Sequence, residues 1–143
     1  MPQVTIFWSY PRKLVNVLED QPAIAYEKGI YFITRINRGK VSPLYIGKAS
    51  RDFYSRLVDH ANTWLNLPQY RAGIKYVRFG TMRNREDMDT VIRDVEAASI
   101  FNASDKLYKN IKCMHSYNSE NSYFIINSGY RGGLELEIDM KRH

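Results

Sequence analysis

Tyrosine rarely serves as an acid–base group, because its free pKa of about 10 leaves it protonated at neutral pH unless a nearby cation favours the anion. This sequence places two tyrosines in short, mirrored settings. Tyr31 ends Gly29-Ile30-Tyr31 and Tyr45 opens Tyr45-Ile46-Gly47, with thirteen residues between the two tyrosines. Two cations follow, Lys48 directly after the second tripeptide and then Arg56. Arg56 and His60 are four apart and share one face of a helix. An arginine there can grip a phosphate oxygen through its planar fork. A histidine can hydrogen-bond the phosphate or shuttle a proton near neutral pH. Glu96 lies among Ile92, Val95 and Ile100, beside the small Ala97 and Ala98. A carboxylate next to an apolar stripe needs a partner, and Mg²⁺ held by one carboxylate, waters and a phosphate is a usual solution. Asp94, Asp89 and Glu86 fit a solvated face or the helix start instead.

The elements that must position these groups are readable from pattern. Residues 29–36 and 44–48 are β-branched and aromatic runs, and Asn37-Arg38-Gly39-Lys40 between them is turn material. They predict an antiparallel hairpin, with Val41-Ser42-Pro43 enlarging its loop. Residues two apart share a face of a strand. The pairing can therefore bring Tyr31 and Tyr45 to one side, with Gly29 and Gly47 leaving room for a substrate backbone. Either tyrosine alone reads as an ordinary strand aromatic; the spaced pair reads as a site. Ser50 or Asp52 can cap a helix through Phe53, Leu57, Val58, Ala61 and Trp64. Residues 74–81 predict a third strand. Asn84-Arg85-Glu86-Asp87 opens a longer helix to about Phe101, with Met88, Val91, Ile92, Val95 and Ser99 at helical spacing. Outside this run, residues 4–10 predict a strand closed by Pro11, and residues 12–20 a short helix. Residues 123–140 predict two strands joined around 128–133.

The 143 residues suit one domain with a real core, and 44% hydrophobic and 13% aromatic content argue against disorder. A lone cysteine, Cys113, leaves no internal disulfide framework or thiolate zinc site, and the three histidines add no zinc pattern. The opening residues lack a secretion signal and no stretch is long enough to cross a membrane, so the expectation is a soluble cytoplasmic protein without a membrane partner. The net charge of +6 understates the arrangement. Residues 29–85 carry eleven Lys or Arg against two acids, Asp52 and Asp59, whereas residues 86–105 carry six acids against Arg93 alone. A concentrated positive field attracts phosphate backbones and releases their counterions.

The two tripeptides, followed in order by Arg56, His60, Glu96 and Asn110, resemble the GIY-YIG nuclease family. The resemblance covers roughly residues 29–110. It implies a small α/β sandwich with a short mixed or antiparallel sheet flanked by helices. Residues 1–28 and 111–143 are then extensions of a single domain, 1–143. It also implies a divalent-metal-dependent DNA endonuclease or nickase. In that family the first tyrosine is proposed to activate water and the second to position water or phosphate, roles that fall on Tyr31 and Tyr45. Ser55-Arg56-Leu57-Val58-Asp59-His60 matches the family's Arg-x-x-x-His spacing. Glu96 corresponds to the single metal-binding glutamate, for Mg²⁺ or Mn²⁺. Asn110 corresponds to the asparagine that closes the catalytic region and orients side chains; Asn102 is the rival, though it follows Glu96 too soon. Gly29, Gly47 and Lys48 fall at the substrate. The gap between the tripeptides is a few residues longer than usual, and no zinc finger or helix-turn-helix reader is recognisable. A single compact site cuts one strand per visit. Cutting both therefore needs a homodimer or two visits, and the C-terminal strands are one candidate contact. Two other readings compete: a non-cutting nucleic-acid-binding module on the same fold, and an unrelated basic α/β protein that stacks RNA bases on its eleven tyrosines.

Overall fold

The computed structural model describes residues 2–83, 85–103 and 118–142. Its strands are β1 (Gln3–Trp8), β2 (Arg12–Lys13), β3 (Gly29–Asn37), β4 (Lys40–Ala49), β5 (Ile74–Thr81), β6 (Phe124–Gly129) and β7 (Glu137–Asp139). They form one mixed sheet in the order β4-β3-β5-β1-β6-β7, with β2 also on β5. Every pairing is antiparallel except β1 with β6, which is parallel over all six residues of each. The helices are α1 (Leu14–Asp20), α2 (Phe53–Asn62), α3 (Pro68–Arg71) and α4 (Met88–Asn102). The molecule is thus of mixed α/β class. No helix among the described residues is long and apolar enough to cross a membrane.

The inner strand β3 is buried at its first six positions, which is why it reads as an unbroken apolar run. Alternation sends its Ile30 and Phe32, with Val4, Ile6 and Trp8 of β1, to the Met88, Val91, Ile92 and Val95 stripe of α4. Tyr31 and Ile33, with Val77 and Phe79, face Leu14 and Val17 of α1 and Phe53 and Leu57 of α2. Each fully buried side chain of this size contributes about 1.5–3 kcal/mol. Helices therefore cover both faces of the β3–β5 region.

Several boundaries differ from expectation. Val41, Ser42 and Pro43 do not enlarge the hairpin loop. They extend β4, and the turn is only Arg38-Gly39, both at positive φ (53° and 77°). The register slips by one between Ile33 and Thr34, so Leu44 is a bulged extra residue. Leu44 and Tyr45 consequently join the same cluster against α2. Pro43 is tolerated because β4 is the sheet's edge and the bulge is next to it. The predicted helix over 12–20 starts only at Leu14, because Arg12 and Lys13 are extended against Val77 and Tyr76. The helix from Phe53 stops at Asn62, where Thr63 leaves helical angles, and Trp64 lies in a short 3₁₀ turn. The terminal extensions are integral to the sheet: β1 lies between β5 and β6, and only β7 is left at that edge.

Candidate active site

The hairpin sets Tyr31 opposite Gly47 and Ile33 opposite Tyr45. The tyrosines are therefore diagonal neighbours on one face, with ring centroids 6.0 Å apart. A Cβ at Gly47 would collide with Cζ and Oη of Tyr31 and with the Tyr45 ring, so the glycine is required by the two rings themselves. Gly29 has φ +154°, and a Cβ there would collide with the Gly80 carbonyl on β5. The room that both glycines leave is filled by the protein's own atoms rather than left open for a substrate backbone.

Helix α2 brings the next two residues. Asp52 is its cap, accepting from the Ser55 amide at 2.7 Å and from Ser55 Oγ at 3.1 Å. With the start fixed, Phe53, Leu57 and His60 turn inward, and Arg56, 44% exposed at its side chain, sits at the border. His60 Nε2 is 2.6 Å from Tyr31 Oη. On the ring's other side, Trp64 Nε1 donates to Nδ1 at 2.7 Å. An indole N–H can only donate, so Nδ1 accepts and the neutral imidazole carries its proton on Nε2. Tyr31 Oη therefore accepts from His60, and the positive charge of Arg56 acts on the same phenol.

A donor and a nearby cation both favour the anion. Burial acts the other way and prevails: it pushes the Tyr31 phenol well above the ordinary range, with Tyr45 and then Glu96 adding to the rise against the charge and hydrogen bond of Arg56. The cation that a tyrosine base calls for is present, but by itself it does not overcome desolvation. Although burial works against it, charge and hydrogen bonding with Tyr31, then Tyr45 and Asp59, hold the Arg56 guanidinium above its usual value.

Tyr45, Lys48, Ser50, Arg56 and Glu96 line one cleft of about 280 Å³. Glu96 reaches it from α4 and is only 2% exposed. It is the one carboxylate lining the cleft, and among the described residues no group of three or more His, Cys, Asp or Glu is placed to hold a metal. A buried carboxylate opening on a polar cleft fits Mg²⁺ if waters and a substrate phosphate complete the shell. Asn110 lies outside the described residues, and Asn102 ends α4 exposed. Asp94, expected on a solvated face, is instead buried, accepting from the amides of Glu120 and Asn121 at 3.1 and 3.0 Å.

Two participants escape the sequence reading. Ser50 was considered only as a cap, and Trp64 only as an apolar helix position. The signal for Trp64 was available, since a donor-only side chain four residues after a histidine can meet its ring. Part of the basic stretch is also structural. Arg35, Arg71 and Lys75 donate to backbone carbonyls of Gln69, Asn66 and Arg71, stapling the segment around α3. No family model, curated protein or solved structure matches this chain.

Proposed function

We propose that this chain is a divalent-metal-dependent endonuclease or nickase that hydrolyses phosphodiester bonds of DNA at a GIY-YIG-type site. The observation that carries this reading is convergence: Tyr31, Tyr45, Lys48, Arg56, His60 and Glu96 come from four elements to one cleft and the hydrogen-bonded cluster beneath it. The succession β3, β4, α2, β5, α4 supports a GIY-YIG-like core over residues 29–110.

In this mechanism Tyr31, as phenolate, takes the proton of the attacking water, and the His60 donor and the Arg56 charge stabilise that anion. Tyr31 is buried beneath the cleft. Because His60 Nε2 already carries a proton, water must enter past Tyr45 and Arg56 for the phenol's own proton to leave to solvent. Arg56 and Lys48 meet the phosphate and its developing charge, while Tyr45, on the cleft wall, orients water or phosphate. Mg²⁺ or Mn²⁺ held by Glu96 would polarise a phosphoryl oxygen, assist the leaving oxygen and offset the carboxylate charge that disfavours the phenolate.

A non-cutting nucleic-acid-binding module is the second reading, favoured by the upward shift of Tyr31, which keeps the free protein's phenol protonated at neutral pH. Plasmid incubation with Mg²⁺, Mn²⁺ or EDTA separates the two. Metal-dependent nicking or linearisation lost in Glu96→Ala and Tyr31→Phe supports the nuclease. Intact plasmid with salt-sensitive binding in every lane supports the module.

A further inference from the structure

A second cavity, of about 420 Å³ and distinct from the cleft of Glu96, lies on the α1 side, where β2 meets β5. Tyr10, Arg12, Lys13, Asn16, Asp20 and Tyr76 are among its lining residues. Three observations set it apart from ordinary surface. Tyr10 is 52% exposed although aromatic, and it packs edge-on against Tyr130, which is 62% exposed. The Arg12 guanidinium lies 4.6 Å from the centre of the Tyr10 ring. Arg12 Nε is buried without a hydrogen-bond partner, and neither Arg12 nor Lys13 is in any ion pair among the described residues.

An aromatic platform backed by a guanidinium offers a π-face to a planar ring. Two cations without carboxylates offer sites to a phosphate. An asparagine amide can read a base edge through paired donor and acceptor. Only one acid, Asp20, lines the cavity, and it can accept from an exocyclic amino group. The ligand that satisfies all of these together is anionic and contains a flat heteroaromatic ring. Duplex DNA keeps its bases stacked and presents no such ring to a side pocket.

We propose that this pocket binds an unpaired nucleotide of a nucleic-acid strand, with the base against Tyr10 and Tyr76 and the phosphate on Arg12 and Lys13. The inference rests on the nucleic-acid part of the proposed function for its ligand class. It is independent of whether the cleft of Glu96 cuts. It implies that the protein engages DNA or RNA containing a single-stranded stretch more strongly than a continuous duplex.

The test is fluorescence anisotropy in EDTA with a labelled 12-nucleotide oligodeoxycytidylate and with a 12-base-pair duplex, so that cleavage plays no part. The wild-type protein is expected to prefer the single strand. Tyr10→Ala and Arg12→Gln are each expected to weaken single-strand binding about tenfold, the range for losing one stacked base, with the duplex affected less than threefold. Tyr10→Trp is expected to restore binding and to show quenching of its indole emission by the strand. A thermal melt of each variant verifies the fold, and Tyr10→Trp keeps the test decisive if Arg12→Gln fails to fold. Unchanged single-strand affinity in Tyr10→Ala overturns the proposal, as does equal weakening on both DNAs. Tight binding of deoxycytidine monophosphate without binding of the strand would also overturn it, assigning the pocket to free nucleotides.

Discussion

Trp64 fixes the proton of His60: by donating to Nδ1 at 2.7 Å, it leaves Nε2 as the donor to Tyr31 Oη at 2.6 Å. Removing the indole N–H frees the ring to adopt the other tautomer, in which it accepts from Tyr31 instead. Trp64→Phe is therefore expected to slow cleavage about fivefold, comparable to losing a positioned hydrogen bond of about 1 kcal/mol. Long-range ¹⁵N–¹H spectra of the histidine rings check the cause, with the His60 nitrogens expected to exchange protonation character. Loss of rate with an unchanged His60 tautomer would count against it.

Glu96 has two effects of opposite sense. It is the carboxylate that would hold the cation, and its negative charge raises the Tyr31 phenol. Glu96→Gln is expected to lower metal-dependent cleavage at least about 100-fold, the scale for removing a principal electrostatic element. DNA binding in EDTA should stay the same or tighten, because a negative charge leaves a cleft that also presents Lys48 and Arg56. Weaker binding in EDTA would show that the carboxylate holds the cleft together instead.

The upward shift of Tyr31 is also a statement about stability. The folded phenol binds its proton more tightly than the unfolded one, so its contribution is full below the unfolded pKa of about 10 and declines as pH rises beyond it. Melting temperatures between pH 8 and 11 are expected to fall more steeply for the wild type than for Tyr31→Phe. The difference between the two proteins isolates this tyrosine from the rest. Parallel curves would remove the argument for a desolvated phenol.

Gly47→Ala is expected to destabilise the protein by about 1–3 kcal/mol, the usual cost of forcing a methyl into packed space, because the new Cβ overlaps the Tyr31 ring. Urea titration gives the number. Activity should fall further than stability alone predicts, since relief requires the two tyrosine rings to separate. A neutral substitution would mean that the rings move freely, which the full burial of Tyr31 argues against.

How much of this was legible depends on the range of the interaction. The hairpin, the strand from Ile74 and the α4 stripe were readable because β-branched runs and 3.6-residue spacing are local. The joint placement of Arg56 and His60 followed from helix geometry alone. The bulge at Leu44 was not legible, because it compensates a hairpin whose arms pair from Asn37 and Lys40 inward, and nothing near Leu44 announces the slip. The burial of Asp94 was equally hidden, since its partners are backbone amides more than twenty residues away. Sequence supplied the cation beside Tyr31 but not the outcome of the contest between cation and desolvation, which is set by how completely the phenol is enclosed.

The parallel pairing of β1 with β6 has a consequence for when the molecule is finished. Trp8 and Asn127, joined by a 2.9 Å hydrogen bond, are 119 positions apart. During synthesis β1 must wait for more than a hundred further residues before its parallel neighbour β6 exists. The hairpin that carries Tyr31 and Tyr45 has no such delay. A growing chain would thus own its two tyrosines long before the layer under α4 is assembled, and the late strand becomes the step that completes the sheet.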